Sequence, residues 1–260
     1  VRYIFPVHLI DNKFGGTAAY KGTFNFSNYR ETGSFWDLRC SAPADRVTYR
    51  YTVDGFDAAV ALVKAVKLGI DPLRNPPTPP NCAAGTGHVN RKGLTPLGEY
   101  ALREMMKLGM LVDIDHMSQA AADRALTLAE GVPNGGYPLN SGHNGRRGAG
   151  GSENSRTDAQ LSRIAALKGL FGVGTEAAHP RSFVTSYLQV ALAMGGRGVG
   201  LALARPLSRT RRPKQLLRQF GSQTLLAATV GRLRPLVPSA QTWVATGAGL
   251  RAAVTAECPD

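Results

Sequence analysis

The stretch Gly93–Ser118, GLTPLGEYALREMMKLGMLVDIDHMS, predicts a helix followed by a strand with a histidine at its end. Thr95 can cap a helix whose first residue is Pro96, and Gly109 is placed to end it. The apolar residues between them follow the three- and four-residue spacing of a buried helix face. The short apolar run Leu111–His116 then predicts a buried strand.

Short apolar runs of this kind alternate with helical patterns along the chain. The predicted strands are Val1–His8, Leu111–His116, Tyr137–His143, Leu170–Gly174 and Gly198–Leu203. The further predicted helices are Gln119–Glu130, Asp158–Lys168 and Ser182–Met194. This alternation is typical of an α/β protein with a parallel sheet, and both a (β/α)8 barrel and a doubly wound sheet fit it.

Residues 9–93 break the alternation. They contain aromatic and polar stretches, one helical pattern over Phe56–Leu68 and a proline-rich turn at Asn75–Pro80. We interpret residues 9–93 as a long insertion between strands, of the kind that often shapes an active site.

The formal net charge of +13 is unevenly distributed. Residues 197–260 contain ten basic and two acidic residues, whereas residues 1–196 contain 21 basic and 16 acidic ones. We therefore divide the 260-residue chain into a body, residues 1–201, and a basic tail, residues 202–260.

The composition also bears on the compartment. No apolar run reaches the roughly 18 residues of a membrane-spanning helix. The cysteines form no Cys-x-x-Cys zinc pair, and a Cys40–Cys82 bridge, left open by the sequence, would imply an oxidising environment. We expect an extracytoplasmic location, periplasmic or secreted. Because Val1 lies inside a predicted strand without a signal peptide before it, we also expect the natural start to be missing.

Three of the five histidines, His8, His116 and His143, end predicted strands. Active-site groups of barrels lie at the carboxyl ends of strands, and imidazoles there can bind zinc. The alternative is that each histidine is an ordinary polar residue closing its strand. His88 and His179 lie in loop-like contexts, where a structural role is expected.

Polar residues beside these histidines have several interpretations. Asp113 and Asp115 can orient an imidazole, cap the next helix or form a salt bridge. The glycine-rich loop Gly142–Gly148 and the following Asn154–Asp158 contain arginines suited to binding a carboxylate or phosphate, although no P-loop pattern is present. A Gly-x-Ser-x-Gly nucleophile motif is also absent from the sequence.

Gly93–Gly98 and Leu108–Ser118 resemble the membrane (renal-type) dipeptidase family of the amidohydrolase superfamily. Val1–His8 and Asn154–Asp158 fit the same pattern in the same order. The resemblance covers roughly residues 1–200, and Gly93–Ser118 is its most specific part.

The resemblance implies a (β/α)8 TIM barrel with two zinc ions, hydrolysis of dipeptides and a possible homodimer. Carried over by position, His116 and His143 are zinc ligands, His8 contacts substrate and Arg156 binds the substrate's carboxylate. Two zinc ions would activate a water and polarise the peptide carbonyl. We therefore predict a partial barrel of a zinc-dependent metallodipeptidase.

The chain also departs from the family. The family's His-x-Asp pair and bridging Glu lie upstream of the segment equivalent to Val1. The catalytic Asp expected after Met194–Leu201 is missing, because no Asp follows until Asp260. We thus identify no catalytic residue and expect impaired activity.

The loss of family pattern coincides with the change in charge. We hypothesise that residues from about 202 onward are frameshifted or unrelated, the alternative being a genuine divergent C-terminus. Two other functions stay open. One is a catalytically inactive barrel remnant used for binding. The other is a polyanion-binding protein acting through tail arginines. Nucleic acid is not the expected partner, because Phe220 and Trp243 are the only aromatic residues of the tail.

Overall fold

The computed structural model describes residues 3–51, 78–148, 150–174 and 180–201, with the short pieces 222–224, 226–227, 230–231 and 251–257. The chain divides into two compact units, Val1–Ala202 and Leu203–Asp260. The helix predicted over Phe56–Leu68, His179 and most of the basic tail lie outside the described residues.

The strands are short. They are β1 Tyr3–Ile4, β2 Leu38–Cys40, β3 His88–Asn90, β4 Leu111–Val112, β5 Asn140–Asn144, β6 Leu170–Val173 and β7 Val199–Leu201. The helices are α1 Gly22–Thr32, α2 Pro96–Lys107, α3 Gln119–Glu130, α4 Asp158–Ala166, α5 Pro180–Ala193 and α6 Arg251–Glu257, with a 3-10 turn at Pro43–Asp45.

Parallel pairing confirms the α/β prediction. Strand β1 pairs with β4, and β6 lies between β5 and β7, all in parallel. A parallel bridge between Asp113 and Asn140 joins the end of β4 to the start of β5. These strands therefore neighbour one another in chain order. Strand β1 ends at Ile4 rather than at the predicted His8, because Pro6 has no N–H group to continue the ladder.

The predicted helix starts are confirmed by side-chain caps. The hydroxyl of Thr95 accepts from Gly98 N, that of Ser118 from Ala121 N and that of Thr157 from Gln160 N. In each case a hydroxyl satisfies an N–H group of the first turn. These caps set where α2, α3 and α4 begin.

The region 9–93 contains elements that the sequence analysis did not predict. Helix α1 and the antiparallel pair β2–β3 lie in it. A disulfide joins Cys40 to Cys82. Residues Ala19, Trp36, Leu38 and Tyr51 form a small apolar cluster of their own.

The main core lies between the parallel strands and helices α2 to α5. Leu102, Val112, Ile114, Leu126, Leu139, Leu161, Ile164, Phe171 and Val190 are all buried in it. The core residues Val112 and Ile114 alternate with Asp113 and Asp115 along the chain. Packing of the apolar residues therefore fixes the positions of the two aspartates. Among the described residues, no helix has the length and apolar character needed to cross a membrane.

Candidate metal centre

The structure brings together the three histidines predicted at strand ends. The Nε2 atoms of His116 and His143 are 3.1 Å apart. The ring of His8 lies edge-on to that of His116, with centroids 4.5 Å apart. Phe5 packs against all three rings. His116 is buried, His143 is half-buried and His8 is exposed, so the group opens towards solvent at His8.

His116 has an unusual backbone conformation. Its φ is +65°, in the left-handed region where histidine is tolerated better than most side chains. Its carbonyl accepts hydrogen bonds from Ala18 N at 2.7 Å and from the hydroxyl of Thr17 at 2.9 Å. The insertion thus fixes the main chain that carries this imidazole.

The environment keeps His116 neutral. Burial, followed by the neighbouring His8 and His143, lowers its pKa to about 4. Its Nδ1 lies 3.4 Å from the hydroxyl of Tyr20. A neutral imidazole is the form that binds a metal ion.

Asp115 holds His143 at two points. Its Oδ2 accepts from the backbone N–H of His143 at 2.8 Å and lies 2.9 Å from Nδ1 of the same residue. Its Oδ1 accepts from Asn144 Nδ2 at 2.8 Å and from the hydroxyl of Ser141. Burial opposes ionisation, but these contacts and the charge of Arg156 hold the pKa of Asp115 below its usual range.

Asp113 is buried beside Asp115 but contacts different groups. It accepts from the hydroxyl of Tyr3, from Gly142 N at 2.9 Å and from Asp115 N at 2.8 Å. Burial, and then the negative charge of Asp115, raises the pKa of Asp113. Asp113 therefore links β1, β4 and β5.

The donor atoms fit a transition-metal ion. Two nitrogens bound tetrahedrally to zinc at 2.0–2.1 Å lie roughly 3.3 Å apart. The 3.1 Å separation between His116 and His143 is close to this value. Asp113, Asp115 and His143 also offer ligand atoms within 4.8 Å of one another. Imidazole and carboxylate donors together suit zinc.

Arg156, predicted to bind a substrate carboxylate, is completely buried. Its Nη2 is 3.5 Å from the carbonyl of Met117, while Nε and Nη1 make no hydrogen bond within the described part of the chain. Burial lowers the pKa of Arg156, and the carboxylates of Asp115 and Asp113 oppose that shift. Buried donors without partners are rare and call for an acceptor.

The other arginines of the glycine-rich loop are engaged in structure. Arg146 forms a two-point ion pair with Asp158. Arg147 is buried and donates to the carbonyls of Asp45, Glu153 and Ser155. These contacts leave neither side chain directed at a phosphate site.

Glu153, which was not predicted from the sequence, is fully buried beside the site. It accepts from the backbone N–H groups of Ala19, Asn90 and Gln119 at 2.6–2.7 Å. Nothing in the sequence marks this glutamate, because its partners are backbone groups remote along the chain. His88, expected in a loop, lies instead at the start of β3, where its Nδ1 accepts from Tyr51 N at 2.7 Å.

The fold and the facing histidines define a class of protein, an α/β protein with a candidate metal centre at the ends of parallel strands. The model of the family "Membrane dipeptidase (Peptidase family M19)" matches residues 79–188. This match confirms the resemblance seen in the sequence, and His116, His143 and Arg156 all lie inside it. No curated protein matches the chain by sequence.

Solved structures show a partial likeness. A metallopeptidase from Rhodobacter sphaeroides, liganded with a phosphinate mimic of the dipeptide L-Ala-D-Ala, is 21% identical; the match covers 42% of this chain and 33% of that one, with a TM-score of 0.36. An amidohydrolase from Pseudomonas aeruginosa is 19% identical over 42% of this chain and 34% of its own, with a TM-score of 0.36. The probable dipeptidase PvdM from Pseudomonas aeruginosa is 25% identical over 31% of this chain and 19% of its own, with a TM-score of 0.28. The chain spans about a third or less of the length of these structures.

Proposed function

We propose that this chain is a metallodipeptidase-like hydrolase that binds zinc between His116 and His143 and cleaves dipeptides weakly. The observation that carries the proposal is the 3.1 Å separation of the two Nε2 atoms, within a segment that matches the dipeptidase family. The parallel strands in chain order favour part of a (β/α)8 barrel over a doubly wound sheet, whose strand order reverses.

The residues take distinct roles in this proposal. His116 and His143 hold the metal, while His8, exposed beside them, contacts the substrate. The unpartnered Nε and Nη1 of Arg156 supply donors for the substrate's carboxylate. When bound, zinc would lower the pKa of a water and polarise the scissile carbonyl.

Impaired activity follows from the ligand set. A catalytic zinc ion usually has three protein ligands. Two imidazoles face each other here, and the carboxylates beside them already have hydrogen-bond partners. Incomplete coordination weakens binding and makes full occupancy dependent on added metal.

Hydrolysis tests this proposal. The full chain, stripped with chelator and reloaded with zinc, is assayed with a dipeptide carrying a C-terminal D-residue and with the corresponding tripeptide. We expect slow, zinc-dependent cleavage of the dipeptide. His8→Ala should retain zinc but lose cleavage. Equal cleavage with and without zinc would contradict the proposal.

The disulfide supports a location outside the cytoplasm. Disulfides such as Cys40–Cys82 persist in oxidising compartments. We therefore propose a location in the periplasm or outside the cell. Thiol labelling of Cys40 and Cys82 in protein isolated from its native source tests this, and labelled, reduced cysteines would argue against it.

A further inference from the structure

We propose that Asp115 is a positioning residue that fixes the orientation and proton of His143 for metal binding. This inference rests on the proposed function, because it assigns a role towards the metal held by His116 and His143. It concerns a residue that itself needs no contact with the metal.

The contacts of Asp115 are concentrated on one neighbouring strand. Its carboxylate receives the backbone N–H of His143, the side chain of Asn144 and the hydroxyl of Ser141, all from β5. Asp115 itself follows β4 and is only 1% exposed. It therefore locks the end of β4 to the strand that carries His143, and its oxygens cannot turn away without leaving these donors unpaired.

The same carboxylate determines which nitrogen of His143 carries the proton. Oδ2 of Asp115 lies 2.9 Å from Nδ1 of His143. An ionised carboxylate only accepts hydrogen bonds, so Nδ1 must donate. The lone pair of a neutral imidazole then lies on Nε2, which faces Nε2 of His116. A carboxylate paired with a metal-binding histidine fixes its tautomer in this way.

Asp113 provides a matched control. It is as buried as Asp115 and lies two residues before it, but it accepts hydrogen bonds from the hydroxyl of Tyr3, from Gly142 N and from Asp115 N. Asparagine at either position replaces a buried carboxyl group with an amide of nearly the same shape. Of the two variants, only Asp115→Asn changes the group that faces Nδ1 of His143.

Nuclear magnetic resonance and zinc titration test the proposal together. Metal-free full chain labelled with 15N-histidine reports the tautomer of His143, assigned by the loss of its signals in His143→Ala. Competition with a chromophoric chelator at neutral pH gives the zinc Kd. We expect the Nδ1–H tautomer in the wild type, its loss in Asp115→Asn and a 10- to 100-fold weaker zinc Kd. Asp113→Asn should keep the Nδ1–H tautomer of His143, because the carboxylate that faces Nδ1 belongs to Asp115.

The outcomes separate this inference from the proposed function. Zinc binding that is unchanged in Asp115→Asn would overturn the positioning role and leave the function standing. If the wild type binds no zinc, the proposed metallodipeptidase function is wrong, whichever tautomer His143 adopts. If both aspartate variants lose zinc while His116→Ala retains it, the ion lies among Asp113, Asp115 and His143, and the positioning role is wrong. If Asp115→Asn fails to fold, the wild-type spectrum still decides, because an Nε2–H tautomer at His143 overturns the inference.

Discussion

Oε1 of Glu153 accepts a hydrogen bond from the backbone N–H of Asn90 at 2.6 Å, although the two residues are 63 positions apart. The same oxygen accepts from Ala19 N, and Oε2 accepts from Gln119 N. One carboxylate thus joins two parts of the insertion, the segment at Ala19 and strand β3, to the start of α3. Ala19 follows Thr17 and Ala18, which both donate hydrogen bonds to the carbonyl of His116. By binding Ala19, Glu153 therefore supports the segment that holds the backbone of His116.

Glu153→Gln should destabilise the fold. A glutamine has one side-chain oxygen, so its NH2 group must face at least one of the backbone donors that Glu153 satisfies. A buried donor left unpaired costs about 1–3 kcal/mol. Urea unfolding should show a loss of this size. Glu104→Gln, at an exposed pair with Lys107, should change the free energy of unfolding by less than about 1 kcal/mol. Equal effects of the two variants would contradict this role for Glu153.

Helix α2 should not tolerate a side chain at Gly98. A Cβ atom there would lie 1.9 Å from the carbonyl oxygen of Phe14. Helix and loop must separate to admit it, and overpacking of this kind costs about 1–3 kcal/mol. Gly131→Ala is the control, because its Cβ would meet the nearest atom at 3.5 Å with an ordinary backbone conformation. Thermal unfolding should show a clear decrease for Gly98→Ala and little change for Gly131→Ala; the reverse order would contradict the packing.

The metal-free protein should lose stability in mild acid through His116. Burial lowers the pKa of His116 to about 4, against an unfolded value near 6.5. Between these pH values the unfolded chain binds a proton that the folded chain does not. Stability therefore falls as the pH drops through this window, by up to about 3 kcal/mol from this group. Urea unfolding from pH 7 to pH 4 should give a shallower loss for His116→Ala, and parallel curves for variant and wild type would contradict the assignment.

Removing the disulfide should weaken the insertion. Cys40–Cys82 links β2 to the segment before β3 across a sequence separation of 42. Closing a loop of this size restricts the unfolded chain and stabilises the fold by about 2–4 kcal/mol. The double variant Cys40→Ser/Cys82→Ser should unfold at lower urea concentration than the oxidised wild type. The reduced wild type should resemble the variant, and coincident curves for all three proteins would show that the bridge contributes nothing.

Much of the parallel framework follows from local sequence signals. Thr95, Ser118 and Thr157 mark helix starts that the structure confirms, because capping depends on residues only three positions apart. The convergence of His8, His116 and His143 also follows, since parallel strands place their carboxyl ends together. Their assignment to metal and substrate stays a prediction.

The insertion was not predictable in the same way. Helix α1 buries Asn25 and Asn28, whose side chains accept from Trp36 N and Asp11 N, so no apolar stripe reveals it. Glu153 and Asn90 likewise act through partners distant in sequence. Their roles arise from tertiary contacts, which hydrophobic periodicity does not detect.

Zinc content of the purified chain tests the central claim most directly. The wild type and His116→Ala/His143→Ala are equilibrated with the same excess of zinc, desalted and analysed by mass spectrometry, with circular dichroism showing that both are folded. The facing imidazoles predict close to one zinc ion per wild-type chain and a loss of that zinc in the double variant. Equal zinc in the two proteins, or none above background in the wild type, would contradict a metal centre between His116 and His143.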